Sequence, residues 1–258
     1  MNIIIIGAGR MGSWIAALLS QNHHVAIIES NPGRNQNPNT QRLNNFKDIP
    51  AFNADMIINA VSLDATLPVF HEILPLVHAD TILADMASVK NGISRFYRNC
   101  GCRFVSTHPM FGPTFANMET LHDEHAIIIE ESDQAGKKFF EDFFLALGLN
   151  IHFMNFKQHD ESMSGSLSVP FMLSMLFAGN VDRRVHPGTT WEKHMQIAQG
   201  LFSEDDSLLS EVLMNPYTLD KIHWLKKALS RLQTAIEKED KQAMLQFIHD
   251  HRSNLSQG

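Results

Sequence analysis

Cysteine is nearly absent from this chain: Cys100 and Cys102 are the only two among 258 residues, in the segment Asn99-Cys100-Gly101-Cys102. No second Cys or His pair stands nearby at ligand spacing, so no metal site is expected and both read as free thiols in a reducing cytoplasm. A dense basic block is also missing. With 21 basic against 28 acidic residues and a net charge of -7, nothing on the chain would neutralise a nucleic-acid backbone or hold an anionic membrane. A long apolar run at the start is lacking too. The opening run, Ile3 to Ile6, is far too short for a signal-peptide core or a membrane span and meets glycines at once. A cytoplasmic protein with no nucleic-acid or membrane partner is therefore expected. A chain of this length, 44% hydrophobic and 19% charged, is expected to form two domains.

What is present begins with a buried-strand pattern, Asn2 to Ile6, running into Gly7-Ala8-Gly9-Arg10-Met11-Gly12 and a helical pattern from Trp14 to Leu19. In this context the first glycine permits the strand-to-helix turn. The second lets the backbone approach a pyrophosphate, and the third lets the helix pack on the sheet. Free N–H groups at the helix start then face the phosphates. A second strand, His24 to Ile28, ends in Glu29, whose carboxylate suits the ribose hydroxyls of NAD and repels the 2′-phosphate of NADP; Arg34 in the following loop is the argument for NADP.

Strand and helix patterns then alternate through Asp55–Val61, Ala65–Leu76, Thr81–Asp85, Gly92–Asn99 and Arg103–Thr107, and two more strands, Ala126–Glu130 and Asn150–Phe156, flank the helix Gln134–Leu147. This is the pattern of an α/β, doubly wound Rossmann-type parallel sheet over residues 1–157, with ligands at the carboxyl ends of the strands. Val61, Ser62, Asp85, Ser88 and His108 fall at such ends. From Gln158 the strand signal stops, and residues 158–258 read as a second, all-α domain. Its last two helices carry apolar stripes (Leu225, Ala228, Leu229, Leu232 and Ile236; Met244, Phe247 and Ile248), which points to a homodimer through this half.

A nicotinamide site needs a base to take a hydroxyl proton while hydride leaves the adjacent carbon, and histidine suits that role near neutral pH. His108 stands where such a group belongs, and Ser88 is placed to assist it or to orient its ring. Asp85 is a candidate for the nicotinamide ribose and Lys90 for a substrate carboxylate. Most of the remaining histidines read as surface residues.

Together the glycine motif, Asp85-Met86-Ala87-Ser88-Val89-Lys90, His108-Pro109-Met110-Phe111-Gly112-Pro113, His159-Asp160 and Leu201-Phe202-Ser203-Glu204-Asp205 resemble the prephenate/arogenate dehydrogenase family of tyrosine biosynthesis. The resemblance implies NAD-dependent oxidative decarboxylation of prephenate or arogenate, with His108 deprotonating the ring hydroxyl, Ser88 assisting, and no metal. It adds His159 to the candidate substrate contacts. Two departures stand out. Where many members carry Ser-His-Leu-Pro-His, this chain has Leu167-Ser168-Val169-Pro170-Phe171, and no arginine stands near Trp191 to His194, where the family places one for the ring carboxylate. Lys193 and His194 are the nearest cations, with Arg183 and Arg184 upstream. Tyrosine feedback through an appended regulatory domain, or a fused mutase, is not expected. The alternatives are another two-domain dehydrogenase, acting on a small hydroxy acid or an imine, and a non-catalytic NAD sensor that could dispense with His108 and Ser88.

Overall fold

The computed structural model describes residues 1–31, 33–34, 37–112, 120–182, 184 and 186–255. The strands are β1 (Asn2–Ile6), β2 (His24–Ile28), β3 (Gln41–Leu43), β4 (Met56–Asn59), β5 (Ile82–Asp85), β6 (Arg103–Pro109), β7 (His125–Ile129) and β8 (Asn150–Met154). The helices woven between them are α1 (Arg10–Leu19), α2 (Ile49–Phe52), α3 (Leu63–Ile73), α4 (Ile93–Cys100) and α5 (Gln134–Ala146). After β8 come α6 (Phe156–Met163), α7 (Val169–Gly179), α8 (Thr189–Leu201), α9 (Asp206–Leu213), α10 (Thr218–Glu237) and α11 (Lys241–Leu255).

The strands form one sheet in the order β3-β2-β1-β4-β5-β6-β7-β8, parallel from β3 to β6. β7 runs antiparallel to β6, and β8 follows β7 in parallel. The sequence explains this layering. Ile3, Ile4 and Ile5 are fully buried because a parallel strand is covered on both faces, so its residues are apolar throughout rather than alternating. One face is packed by Ile15 and Ala16 of α1 with Phe140 and Phe144 of α5. The other carries Phe70 and Ile73 of α3, Phe96 and Tyr97 of α4, and Phe156 and Met163 of α6.

Register decides where the site falls. Ile6 pairs with Asn59, Asn59 with Asp85, and Asp85 with Ser106, so β1, β4 and β5 end in one row and Ser106 of β6 lies level with it. The order reverses between β1 and β4, and that is where a crevice opens in a doubly wound sheet. β6 alone runs on to Pro109, paired only with β7, which carries His108 past the row where β5 has ended.

Three expectations change. The compact units are Met1–Asn215 and Pro216–Gly258, rather than a division at residue 157. The reason is that α6 packs on β7 and β8, and α9 packs on α3, so the early helices join the sheet's own core. β3 was not anticipated, because three residues within a polar stretch give no periodic signal. Cys100 and Cys102 are paired as a disulfide rather than free, brought to a Cα separation of 5.3 Å by the turn that ends α4.

Between α6 and α7 the residues Ser164–Ser168 wind as a π-turn, so Phe156–Gly179 is one continuous apolar helix of 24 residues, long and apolar enough to cross a membrane. Pro170 lacks the N–H that an ordinary helical turn would use, and a widened turn just before it accommodates the loss. In the second unit α10 and α11 pack on each other through Arg231, which bonds Asp250 at 2.9 Å and lies over the Phe247 ring. Much of their apolar stripe is uncovered: Leu229, Ile236 and Ile248 are exposed.

The strand-to-helix turn is the tightest point of the sheet. A Cβ on Gly12 would lie 2.0 Å from the backbone oxygen of Gly7, which cannot swing aside as a side chain could. Gly12→Ala is expected to cost about 1–3 kcal/mol of stability, the usual range for overpacking. Urea unfolding followed by circular dichroism measures it, and an unchanged midpoint would contradict the close packing described.

Candidate active site

At the switch point lies a cavity of about 480 Å³, of the size that small ligands occupy. Its floor is the glycine turn (Gly9, Arg10, Met11) and the end of β4 (Ala60, Val61, Ser62). One wall is Met86 to Ser88 beyond β5, with His108 to Gly112 from β6. The opposite wall comes from the helices: Leu167, Phe171, Leu201, Glu204, Asp205, Leu208 and Val212.

The floor fits a dinucleotide. Gly7 has φ +94, a backbone conformation open to glycine, and a Cβ there would strike Ala60. A Cβ on Gly9 would meet nothing within 4 Å, so the open space above this backbone is the cradle a pyrophosphate requires. The start of α1 has no side-chain cap, leaving its N–H groups for an anion. Glu29 ends β2 beside the turn and accepts hydrogen bonds from the Ala8 and Asn31 amides at 2.7 and 2.8 Å. Burial opposes its charge, but the Asn31 and Ala8 amides, the Ser30 hydroxyl and Arg34 together hold its carboxyl below the usual range. A charged acid in that place favours ribose hydroxyls over a phosphate.

Beneath the wall lies a network that excludes water. Lys90 and Asp85 are both fully buried, with Lys90 Nζ 2.5 Å from Asp85 Oδ2 and 2.7 Å from the Thr107 carbonyl. The Tyr97 hydroxyl donates to Asp85 Oδ1 at 3.0 Å. Asp85 thus stays away from any ribose and Lys90 away from any substrate, contrary to the reading of their sequence positions. A buried charge must be paired, and these two satisfy each other. His159 is likewise fully buried and bonds His108 instead of facing the cavity, so it is not a direct substrate contact.

His108 does line the cavity. Its Nδ1 lies 3.0 Å from His159 Nε2, and its Nε2 has no hydrogen-bond partner among the described residues. Burial, then the neighbouring His159 and Lys90, push its pKa well below the ordinary 6.5, so the ring is neutral at pH 7 and able to accept a proton. Ser88 lines the same wall, and no described residue occupies its hydroxyl.

The sequence-predicted residues therefore divide. Gly9, Arg10, Met11, Val61, Ser62, Ser88 and His108 meet at the cavity. Gly7, Gly12 and Glu29 support its floor from behind, and Asp85, Lys90 and His159 form the buried base under its wall. Lys193 and His194 are exposed on α8 and do not line it, and Arg184 bonds Asp182 instead. Arg183 and Pro113 lie outside the described residues. Sequence reasoning missed the helical wall: Leu167 and Phe171 come from the stretch that lacks the family's two histidines, and they make this side apolar. Glu204 pairs with Arg10 across the cavity mouth, a contact whose only earlier signal was the Leu-Phe-Ser-Glu-Asp motif.

The burial of neutral His108 and His159 has a consequence for acid stability. In the unfolded chain both titrate near 6.5, whereas in the folded chain both pKa values are lowered, by burial first. The unfolded state then binds more protons at any pH between the two values, so stability is intact above about 6.5 and falls as pH drops below it. Each histidine contributes up to about 1.4 kcal/mol per pH unit in that window. Urea midpoints from pH 7.5 to 5 are expected to fall, with a shallower slope in His108→Asn. Equal slopes would contradict the assignment.

A family model described as the prephenate dehydrogenase nucleotide-binding domain matches residues 16–147. The chain is 28% identical to the prephenate dehydrogenase of Lactococcus lactis subsp. cremoris, over 96% of this chain and 75% of that one. Among solved structures it is similar to prephenate dehydrogenase from A. aeolicus, in a complex with hydroxyphenyl propionate and NAD+, at TM-score 0.83 and 15% identity over 99% and 97% of the two chains. It is also similar to Synechocystis arogenate dehydrogenase, at TM-score 0.75 and 16% identity over 99% of each. With the family's nucleotide-binding model spanning half its length, and the glycine turn, the strand-end histidine and the crevice in place, the chain belongs to the prephenate/arogenate dehydrogenase family.

Proposed function

We propose that the chain is an NAD-dependent prephenate dehydrogenase acting in the cytoplasm, converting prephenate to 4-hydroxyphenylpyruvate and CO₂. The observation that carries the reading is His108, neutral, on the cavity wall, at the strand end beside the glycine turn. When bound, NAD⁺ supplies the hydride acceptor. His108 Nε2 takes the proton of the ring hydroxyl as hydride leaves the carbon that bears it, making that oxygen a carbonyl. The bond to the ring carboxylate then breaks and its electron pair enters the ring, which becomes aromatic. The proton on His108 returns to the phenol oxygen, so the reaction releases no net proton. Ser88, on the same wall, holds the hydroxyl in line. Aromatisation provides the driving force, and the apolar part of the helical wall, Leu167, Phe171, Leu201, Leu208 and Val212, has mainly to place the ring and keep water out.

Activity is checked by NADH formation with prephenate. His108→Asn is expected to lower kcat by about 10²–10⁴-fold, the range for a general base, and undiminished turnover would overturn the assignment. A second reading, arogenate as substrate, is favoured by the charges on the lining: Arg10 is its only described cation, against Glu124, Glu204 and Asp205. Arogenate carries a side-chain ammonium where prephenate carries a keto group, so a higher kcat/KM for arogenate under the same assay selects this reading.

We also propose that the chain is a homodimer through its helical half. α7 buries none of its residues, and Leu173, Leu176 and Ile197 leave an apolar face open on α7 and α8. The other end of the same 24-residue helix is anchored under the site by His159 and Asp160, which favours a protein partner over lipid. Light scattering is expected to give twice the 29.1 kDa chain mass for the wild type and a shift to monomer for Leu176→Arg; a monomeric wild type would contradict the proposal.

A further inference from the structure

We propose that His159 and Asp160 are a positioning pair that sets the tautomer of His108 and so leaves His108 Nε2 bare toward the cavity. The inference rests on His108 being the base of the reaction above. It begins at Asp160 Oδ1, which accepts the Lys90 amide N–H and lies against His159 Nδ1, both at 2.9 Å. A carboxylate oxygen in that place only accepts, so His159 carries its proton on Nδ1. In a neutral ring the other nitrogen is then a lone pair, and His159 Nε2 is the atom 3.0 Å from His108 Nδ1. The proton between the two rings must belong to His108. A neutral His108 protonated on Nδ1 has its lone pair on Nε2, the nitrogen the reaction needs.

The parts are held in place for this. Asp160 is fixed by the Lys90 amide and by Asn215 Nδ2, which donates to its backbone carbonyl at 2.9 Å. The backbone of His159 donates to Asn155, which caps α6. The charged groups acting on the two rings are Lys90 and Asp85, from the end of β5 and the loop after it, and Asp160 on α6. Burial and Lys90 keep His159 neutral, although Asp160 and Asp85 work the other way. When His108 takes a proton, the chain of bonds passes part of the new charge toward Asp160, which no arrangement of two isolated histidines would allow.

The wild-type protein provides the first test. Long-range proton–nitrogen correlation spectra of the ¹⁵N-histidine-labelled enzyme, with peaks assigned from His108→Asn, are expected to show His108 protonated on Nδ1 and bare on Nε2. The opposite tautomer overturns the proposal without any variant of the pair having to fold. Kinetics provide the second. Asp160→Ala removes the acceptor that holds the proton on His159 Nδ1 and frees that ring to take the other tautomer, so it is expected to lower kcat by about 10²–10⁴-fold with KM and NAD affinity little changed. Asp160→Asn, whose amide oxygen can still accept from both the Lys90 amide and His159 Nδ1, is expected to keep much of the activity. His159→Gln, whose amide oxygen can still accept from His108, is expected to recover much of the activity lost in His159→Phe. Loss of kcat, KM and thermal stability together, with no advantage for glutamine, would mark a merely structural role and overturn the proposal. Wild-type turnover in Asp160→Ala and His159→Phe beside an inactive His108→Asn would sink the pair and leave the base standing. Full turnover in His108→Asn would remove both.

Discussion

The pairing of Lys90 with Asp85 is the constraint on which the site depends. Taking both charges out of water costs several kcal/mol per ion, and the pair is tolerable only because every strong group around it is satisfied. Tyr97 serves Asp85, the Thr107 carbonyl serves Lys90, and the Lys90 backbone amide reaches Asp160. Those bonds join the end of β5, helix α4, strand β6 and helix α6 at one point. Removing one partner would strand a charge where water cannot reach it. The strand ends therefore hold their relative positions, and the cavity above them has a rigid wall.

The same pair sets the electrostatics of the wall. A buried ammonium near His108 opposes a second positive charge there, and desolvation acts in the same direction, so the imidazole is kept neutral. An imidazole with a lowered pKa holds a proton weakly, which suits the proposed reaction, in which the proton returns to the product oxygen. Carboxylates nearby would have raised that pKa. They are present, but Asp85 is occupied by Lys90 and Asp160 by His159, so they act on His108 only through intermediaries.

Much of the architecture was legible in the amino-acid order because the determining signals are local. An isoleucine run followed by three spaced glycines encodes a strand, a turn and a helix within a few residues; Gly12 is required by its close approach to Gly7, and Gly7 by its own φ of +94. His108 was legible for a similar reason: register and strand length put the last residues of β6 at the crevice. Asp85 and Lys90 were misread because their roles depend on Tyr97, Thr107 and Asp160, which lie up to 75 positions away from Asp85. A strand-end acid looks the same in sequence whether it rises into the crevice or turns beneath it. The division of the chain at Asn215 rather than at 157 has a related cause, since helical periodicity shows that a segment is helical but not which core it joins. The helical wall was the least legible part, because Leu167, Phe171 and Val212 are ordinary apolar residues until the π-turn and the packing of α9 bring them to one cavity.

A nucleotide floor, a neutral imidazole on a rigid wall and a largely apolar wall of helices meet in one cavity, suited to the proposed removal of a proton and a hydride from adjacent atoms of a ring carbinol. The central claim is geometric: His108 Nε2 must meet the oxygen that loses the proton. A crystal structure of the protein with NAD⁺ and a 4-hydroxyphenyl carboxylic acid tests this directly. The account predicts the ring hydroxyl within hydrogen-bonding reach of His108 Nε2, at about 2.6–3.2 Å, with His108 Nδ1 still on His159. A bound ring whose hydroxyl points away from His108, toward Glu204 or the cavity mouth, would contradict it.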